Sequence, residues 1–127
     1  MKAVKALDII TELDELEPNQ YDDHQKLKWL EDLDGKVYNE LIEGHDDPET
    51  IESFAAADYS DTEVELLIGL PYARDVYINY LRGKIAESNA EAERYNLYAA
   101  AFNAEYQQYA AHYNSTTPML RQRGWRY

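Results

Sequence analysis

The chain has 127 residues and no cysteine, enough for one ordinary domain that buries a modest core without disulfides. Its formal net charge is −13, carried by 20 acids against 5 bases in residues 1–66; residues 67–118 are near balance, and residues 119–127 hold three arginines and no acid. Such a charge argues against direct binding to nucleic acid or anionic lipid, both of which require Lys and Arg to displace counterions or to meet a negative surface. It leaves open a lumen through which DNA slides, where repulsion helps.

The opening stretch, "MKAVKALDIITELDELE", reaches an acid by position 8 and has no long apolar run. It reads as neither a signal peptide nor a membrane span, and the expected compartment is the cytoplasm. Val4, Leu7, Ile10 and Leu13 recur at every third position with Ile9 and Leu16 beside them, which predicts a short amphipathic helix. "EPNQY" stops it, since Pro18 disfavours helical backbone at Glu17.

A second helix starts on a capping signal, Asp22 with Gln25 three residues on, and continues through Leu27, Leu30, Leu33, Val37 and Leu41. Trp29 and Tyr38 broaden its stripe, and Gly44 is its expected stop. From His45 to about Thr62 the periodicity is lost in "HDDPETIESFAAADYSDT", which reads as a long acidic loop with room for a short strand at "TIESF".

"ELLIGLP" leads into a third helix, with Pro71 placed in its first turn and Val76, Tyr77, Tyr80, Leu81 and Ile85 on one face. Around "AESNAEAE" the aromatic character lapses, so either a bend sits near Ser88 to Ala90 or one long helix runs on. Beyond it, Tyr95, Tyr98, Phe102, Tyr106, Tyr109 and Tyr113 are spaced by 3, 4, 4, 3 and 4 residues, one stripe down an α-helix. Ala100, Ala104 and Ala111 lie on the opposite side, where they favour helix and admit a close neighbour. The helix ends at "NSTTP", and the tail "MLRQRGWRY" has no periodicity.

These readings combine into an all-α fold: a bundle of about four helices over residues 1–118, with a long acidic loop, and an extended C-terminal arm over residues 119–127.

No catalytic, cofactor or metal site is expected. A phenol with an ordinary pKa near 10 needs a cationic or metal neighbour to work at neutral pH, so the tyrosines are assigned to packing and interface use. His24, His45 and His112 fall in no ligand spacing and read as surface or capping residues. The acid-rich "HDDPETIES" lacks the alternating order of a calcium loop, and no phosphate-cradling glycine motif, nucleophile elbow or cysteine pair occurs. The tail is different, because Arg121, Arg123, Trp125, Arg126 and Tyr127, following Met119 and Leu120, are residue types enriched at binding hot spots.

Two blocks, "EPNQYDDHQKLKWLEDLDGKVYNELI" and "ELLIGLPYARDVYINYLRGKIAESNAEAERYNLYAAAFNAEYQQYAAHYN", resemble the small head-tail connector (adaptor) proteins of tailed bacteriophages and prophages. The resemblance spans roughly residues 17–44 and 63–114 and lies in the order "PNQY", "KLxWLxxLDG" and "LPY…Y…YL…RYN…FN…Y…YN". It implies a non-enzymatic virion protein in the neck between capsid and tail, made in the host cytoplasm. Such subunits form a ring beneath the portal, usually dodecameric, that extends the DNA channel without binding DNA specifically and offers a platform to the stopper or tail-completion protein. It also implies that Met119 to Tyr127 reach the portal protein. Because aromatic residues dominate interface energetics, Tyr77, Tyr80, Tyr95, Tyr98, Phe102, Tyr106, Tyr109 and Tyr113 are expected to pack the protomer and part of the ring. The rival reading is an acidic DNA mimic that inhibits a DNA-binding protein, supported by the −13 charge.

Overall fold

A computed structural model describes residues 2–120. Five α-helices follow one another: α1 (Ala6–Leu16), α2 (Asp23–Val37), α3 (Pro48–Ala56), α4 (Ala73–Ser88) and α5 (Ala92–Thr116). No strand is present among the described residues, only isolated antiparallel bridges such as Lys2 with Leu70 and Lys5 with Glu65, so the all-α class holds.

Helix α1 buries Ala6, Ile9, Ile10 and Leu13. That face is rotated from the one read off the sequence: Leu7 and Leu16 point outward, and Val4 precedes the helix in a segment paired with Leu66. Helix α2 starts as expected, with Asp22 Oδ1 accepting from the Gln25 amide at 2.9 Å. Leu27, Leu30, Leu33, Val37 and Leu41 are all buried. The helix passes into a π-turn at Tyr38–Ile42. The wider turn brings Ile42 into the core beside Leu41, an advance that a strict 3.6-residue repeat does not provide.

The long acidic loop is the main correction, and with it the count of four helices becomes five. Residues 48–56 form α3, and "TIESF" is helical within it. Asp47 caps its start by accepting from the Thr50 amide at 3.3 Å, and Pro48 occupies the first turn, where a missing N–H costs nothing. Its apolar content is small, with Ile51 and Phe54 half-buried; Phe54 stacks on Tyr38 at 4.5 Å.

Pro71 is the other correction. It lies in the turn before α4, whose first helical residue is Ala73; the Tyr72 and Ala73 amides both donate to the Gly69 carbonyl. The open question around "AESNAEAE" resolves as a sharp bend. Helix α4 stops at Ser88, Ala90 takes a left-handed conformation with φ of 59°, and α5 turns back along α4 in the most extensive helix pairing among the described residues.

Candidate functional site

The tyrosine stripe is a continuous aromatic ladder from Phe102 to Tyr113. From the α4 side Tyr80 meets Phe102 at 5.4 Å, Phe102 stacks on Tyr106 at 5.8 Å, and Tyr106, Tyr109 and Tyr113 continue at 6.3 and 6.1 Å. His45 closes the end, edge-on to Tyr113 at 4.7 Å. Burial along the ladder is uneven. Tyr109 and Tyr113 are in the core, Tyr80, Phe102 and Tyr106 are half-buried, and Tyr95 is 38% exposed. Tyr98 is held differently, with the Arg82 guanidinium 4.6 Å and the Arg94 guanidinium 5.7 Å from its ring centre. Both arginines also bond Glu17, at 2.9 and 2.7 Å, tying the end of α1 to the α4–α5 bend.

Burial pushes the Tyr80 hydroxyl up to about 12 and raises Tyr106, Tyr109 and Tyr113 as well; nearby carboxylates push the same way. These phenols are neutral donors at neutral pH. Tyr113 acts as one, donating to Asp47 Oδ2 at 3.0 Å and linking α5 to the cap of α3.

Tyr77 belongs elsewhere, in a buried polar centre absent from the sequence reading. Asp34, fully buried on α2, accepts from Tyr59 and Tyr77 hydroxyls at 2.5 Å each and from the Leu67 amide at 3.0 Å. The Tyr77 hydroxyl in turn accepts from the Ile68 amide at 2.8 Å. Burial raises the Asp34 carboxyl to about 6, against the lowering by its three donors; burial and then the Asp34 charge push both phenols well up. The centre ties α2, α4 and the 57–70 segment together. One signal did exist in the sequence, since Asp34 stands four residues after Leu30 and seven after Leu27, on the apolar stripe of its own helix. Lys26, one residue before Leu27, is a second polar residue on that buried side, 2% exposed and bonded to Asp14 at 2.7 Å.

His24 is exposed, as expected, whereas His45 is not. Its Nδ1 donates to the Leu41 carbonyl at 2.7 Å, and its Nε2 is buried with no partner among the described residues. No group of three or more His, Asp or Glu side chains is placed to hold a metal ion among the described residues.

The first two residues of the arm, Met119 and Leu120, are fixed to the body, unlike the free extension expected from residue 119 onward. The Asp46 amide donates to the Pro118 carbonyl at 2.7 Å and the Leu120 amide to the Gly44 carbonyl at 3.0 Å, pairing Met119 with His45 in antiparallel fashion. Met119 and Leu120 remain 58% and 45% exposed. Arg121, Arg123, Trp125, Arg126 and Tyr127 lie outside the described residues.

Beside this anchor a groove of about 590 Å³ opens between α3, the end of α5 and residues 65–69. Phe54, Tyr109 and Tyr113 contribute its aromatic wall, and Asp47, Glu49 and Glu65 its charge. No helix among the described residues is long and apolar enough to cross a membrane. No protein-family model, curated protein or solved structure matches this chain.

Proposed function

We propose that this chain is a structural subunit of a phage neck, a head-tail adaptor that assembles as a ring beneath a portal. The ring extends the DNA channel, supports a stopper or tail-completion protein, and holds the portal through residues 119–127. The observation that carries the reading is the shape of α5. This helix has 25 residues, about 37 Å, yet only Tyr109 and Tyr113 are buried in it. Leu97 is 63% exposed, and beyond Glu93 in the first turn the outward positions Asn96, Ala100, Asn103, Ala104, Gln107, Gln108 and Ala111 carry no charge in a molecule of net charge −13. An uncharged helical face is where like-charged copies meet with least repulsion. The resemblance of residues 17–44 and 63–114 to adaptor proteins supports the same reading.

Electron microscopy of the purified protein, alone and mixed with the portal encoded in the same genome, tests it. Rings docked on the portal are the expected result. Single particles that never join the portal would overturn the proposal. The second reading, a DNA mimic, is favoured by exposed carboxylates on α1 and α2 such as Glu15, Asp23 and Asp32. It predicts binding to a DNA-binding protein that weakens steeply with salt.

A further inference from the structure

We infer that the groove beside α3 is a receptor for an arginine-rich aromatic peptide, and that its occupant is the C-terminal arm of a second copy of this chain. The groove volume of about 590 Å³ lies in the range of roughly 300–1,000 Å³ typical of sites that enclose a ligand. Its chemistry is specific. Tyr113 and the Thr50 amide hold the Asp47 carboxylate in place, while Glu49 and Glu65 are exposed and have no basic partner among the described residues. Every described ion pair of the molecule lies elsewhere, on α1, α2, α4, the start of α5 or between Lys5 and Glu63.

The matching chemistry is in the chain itself. Residues 121–127 hold three arginines, a Trp and a Tyr, and no acid. Guanidinium groups pair with carboxylates through two parallel hydrogen bonds and stack on aromatic rings, and Trp adds apolar area against the half-buried Phe54.

The direction of the anchor selects a neighbour's groove. Pro118 lies against Asp46 and Leu120 against Gly44, so the chain runs away from Asp47, and from its own groove, as it enters the arm. The seven residues that follow reach at most about 24 Å. An arm of one copy seated in the groove of the next is a head-to-tail contact, the kind that closes into rings. The inference goes beyond the adaptor reading, and a portal that binds the arm competes with the groove for it.

The test uses full-length chains in sedimentation velocity at low salt. One variant has a reversed groove, Glu49→Lys with Glu65→Lys; the other has a neutral arm, Arg121→Gln with Arg123→Gln and Arg126→Gln, which the reversed groove does not attract. Wild-type protein is expected to associate with rising concentration beyond a dimer, each variant alone to stay monomeric, and an equal mixture of the two to stop at one-to-one pairs. That pairing has one intact arm in one intact groove and cannot arise from an arm folded back on its own chain. A mixture that stays monomeric, or a groove variant that associates like wild type, overturns the inference. Wild-type protein that pairs in this way yet never joins a portal overturns the adaptor reading and leaves the groove assignment standing.

Discussion

Asp34 shows how one side chain couples three parts of the fold. Burial holds its carboxyl at about 6 against 3.8 for an unhindered one. Between those values the unfolded chain ionises while the folded one stays protonated. The contribution of this group to stability is therefore complete below 3.8 and is lost as pH rises through about 6. The difference amounts to about 3 kcal/mol. Urea denaturation of wild type and Asp34→Asn across this window isolates it, since the other carboxylates are common to both. The stability of wild type relative to the variant is expected to fall as pH rises, and a flat difference would show that Asp34 does not titrate there. Asp34→Ala leaves Tyr59, Tyr77 and the Leu67 amide without their acceptor, and a loss of at least about 2 kcal/mol is expected at pH 4. The position of Asp34 on the apolar stripe was legible. Its partners were not, because Tyr59 and Tyr77 stand 25 and 43 residues away and only packing brings them together.

At the scale of the element, α5 divides along its length into a packed end and an open one. Tyr109→Ala removes a ring wedged between Tyr72, Tyr106 and Tyr113, and should cost about 3–5 kcal/mol in thermal or chemical unfolding. Leu97→Ala on the open face should stay within about 0.5 kcal/mol of wild type. If the open face joins copies, the same Leu97→Ala substitution weakens ring formation in microscopy while unfolding is unchanged, which separates assembly from folding. The periodicity of this helix, its end near "NSTTP" and the cap of α2 were legible because they depend on neighbours a few residues apart, whereas its start was open until the bend at Ala90 placed it. Helix α3 was not recognised although Asp47 and Pro48 form a valid start signal; nine residues with only Ile51 and Phe54 as larger apolar groups present too weak a repeat. The π-turn at Tyr38–Ile42 was equally hidden, since both Leu41 and Ile42 are apolar and the sequence permits either to face inward.

For the whole molecule, charge is the dominant fact. Twenty-five acids face twelve bases, and most of the described ion pairs involve exposed side chains of little individual worth. Self-repulsion opposes the compact state, so adding salt from about 0.02 to 0.5 M is expected to raise the melting temperature in calorimetry. A fall would mean that the ion pairs, notably those of Glu17 with Arg82 and Arg94, outweigh the repulsion. The same repulsion disfavours contact between copies except where exposed charge is sparse, as on α5 from Asn96 to Ala111, or where opposite charges meet, as the proposed arm and groove would.

The helical class, the stripe of Tyr95 to Tyr113, the Asp22 cap and the contrast between an acidic body and a basic tail were determined by sequence alone, since each rests on composition or on short, regular spacing. Only the tertiary structure decided that Asp34 meets Tyr59 and Tyr77, that His45 is buried under Tyr113, and that Pro118 to Leu120 lie against Gly44 to Asp46. Those pairings join residues far apart in the chain. They depend on how helices of fixed register pack against each other, and the free energy that selects them is shared across the whole core.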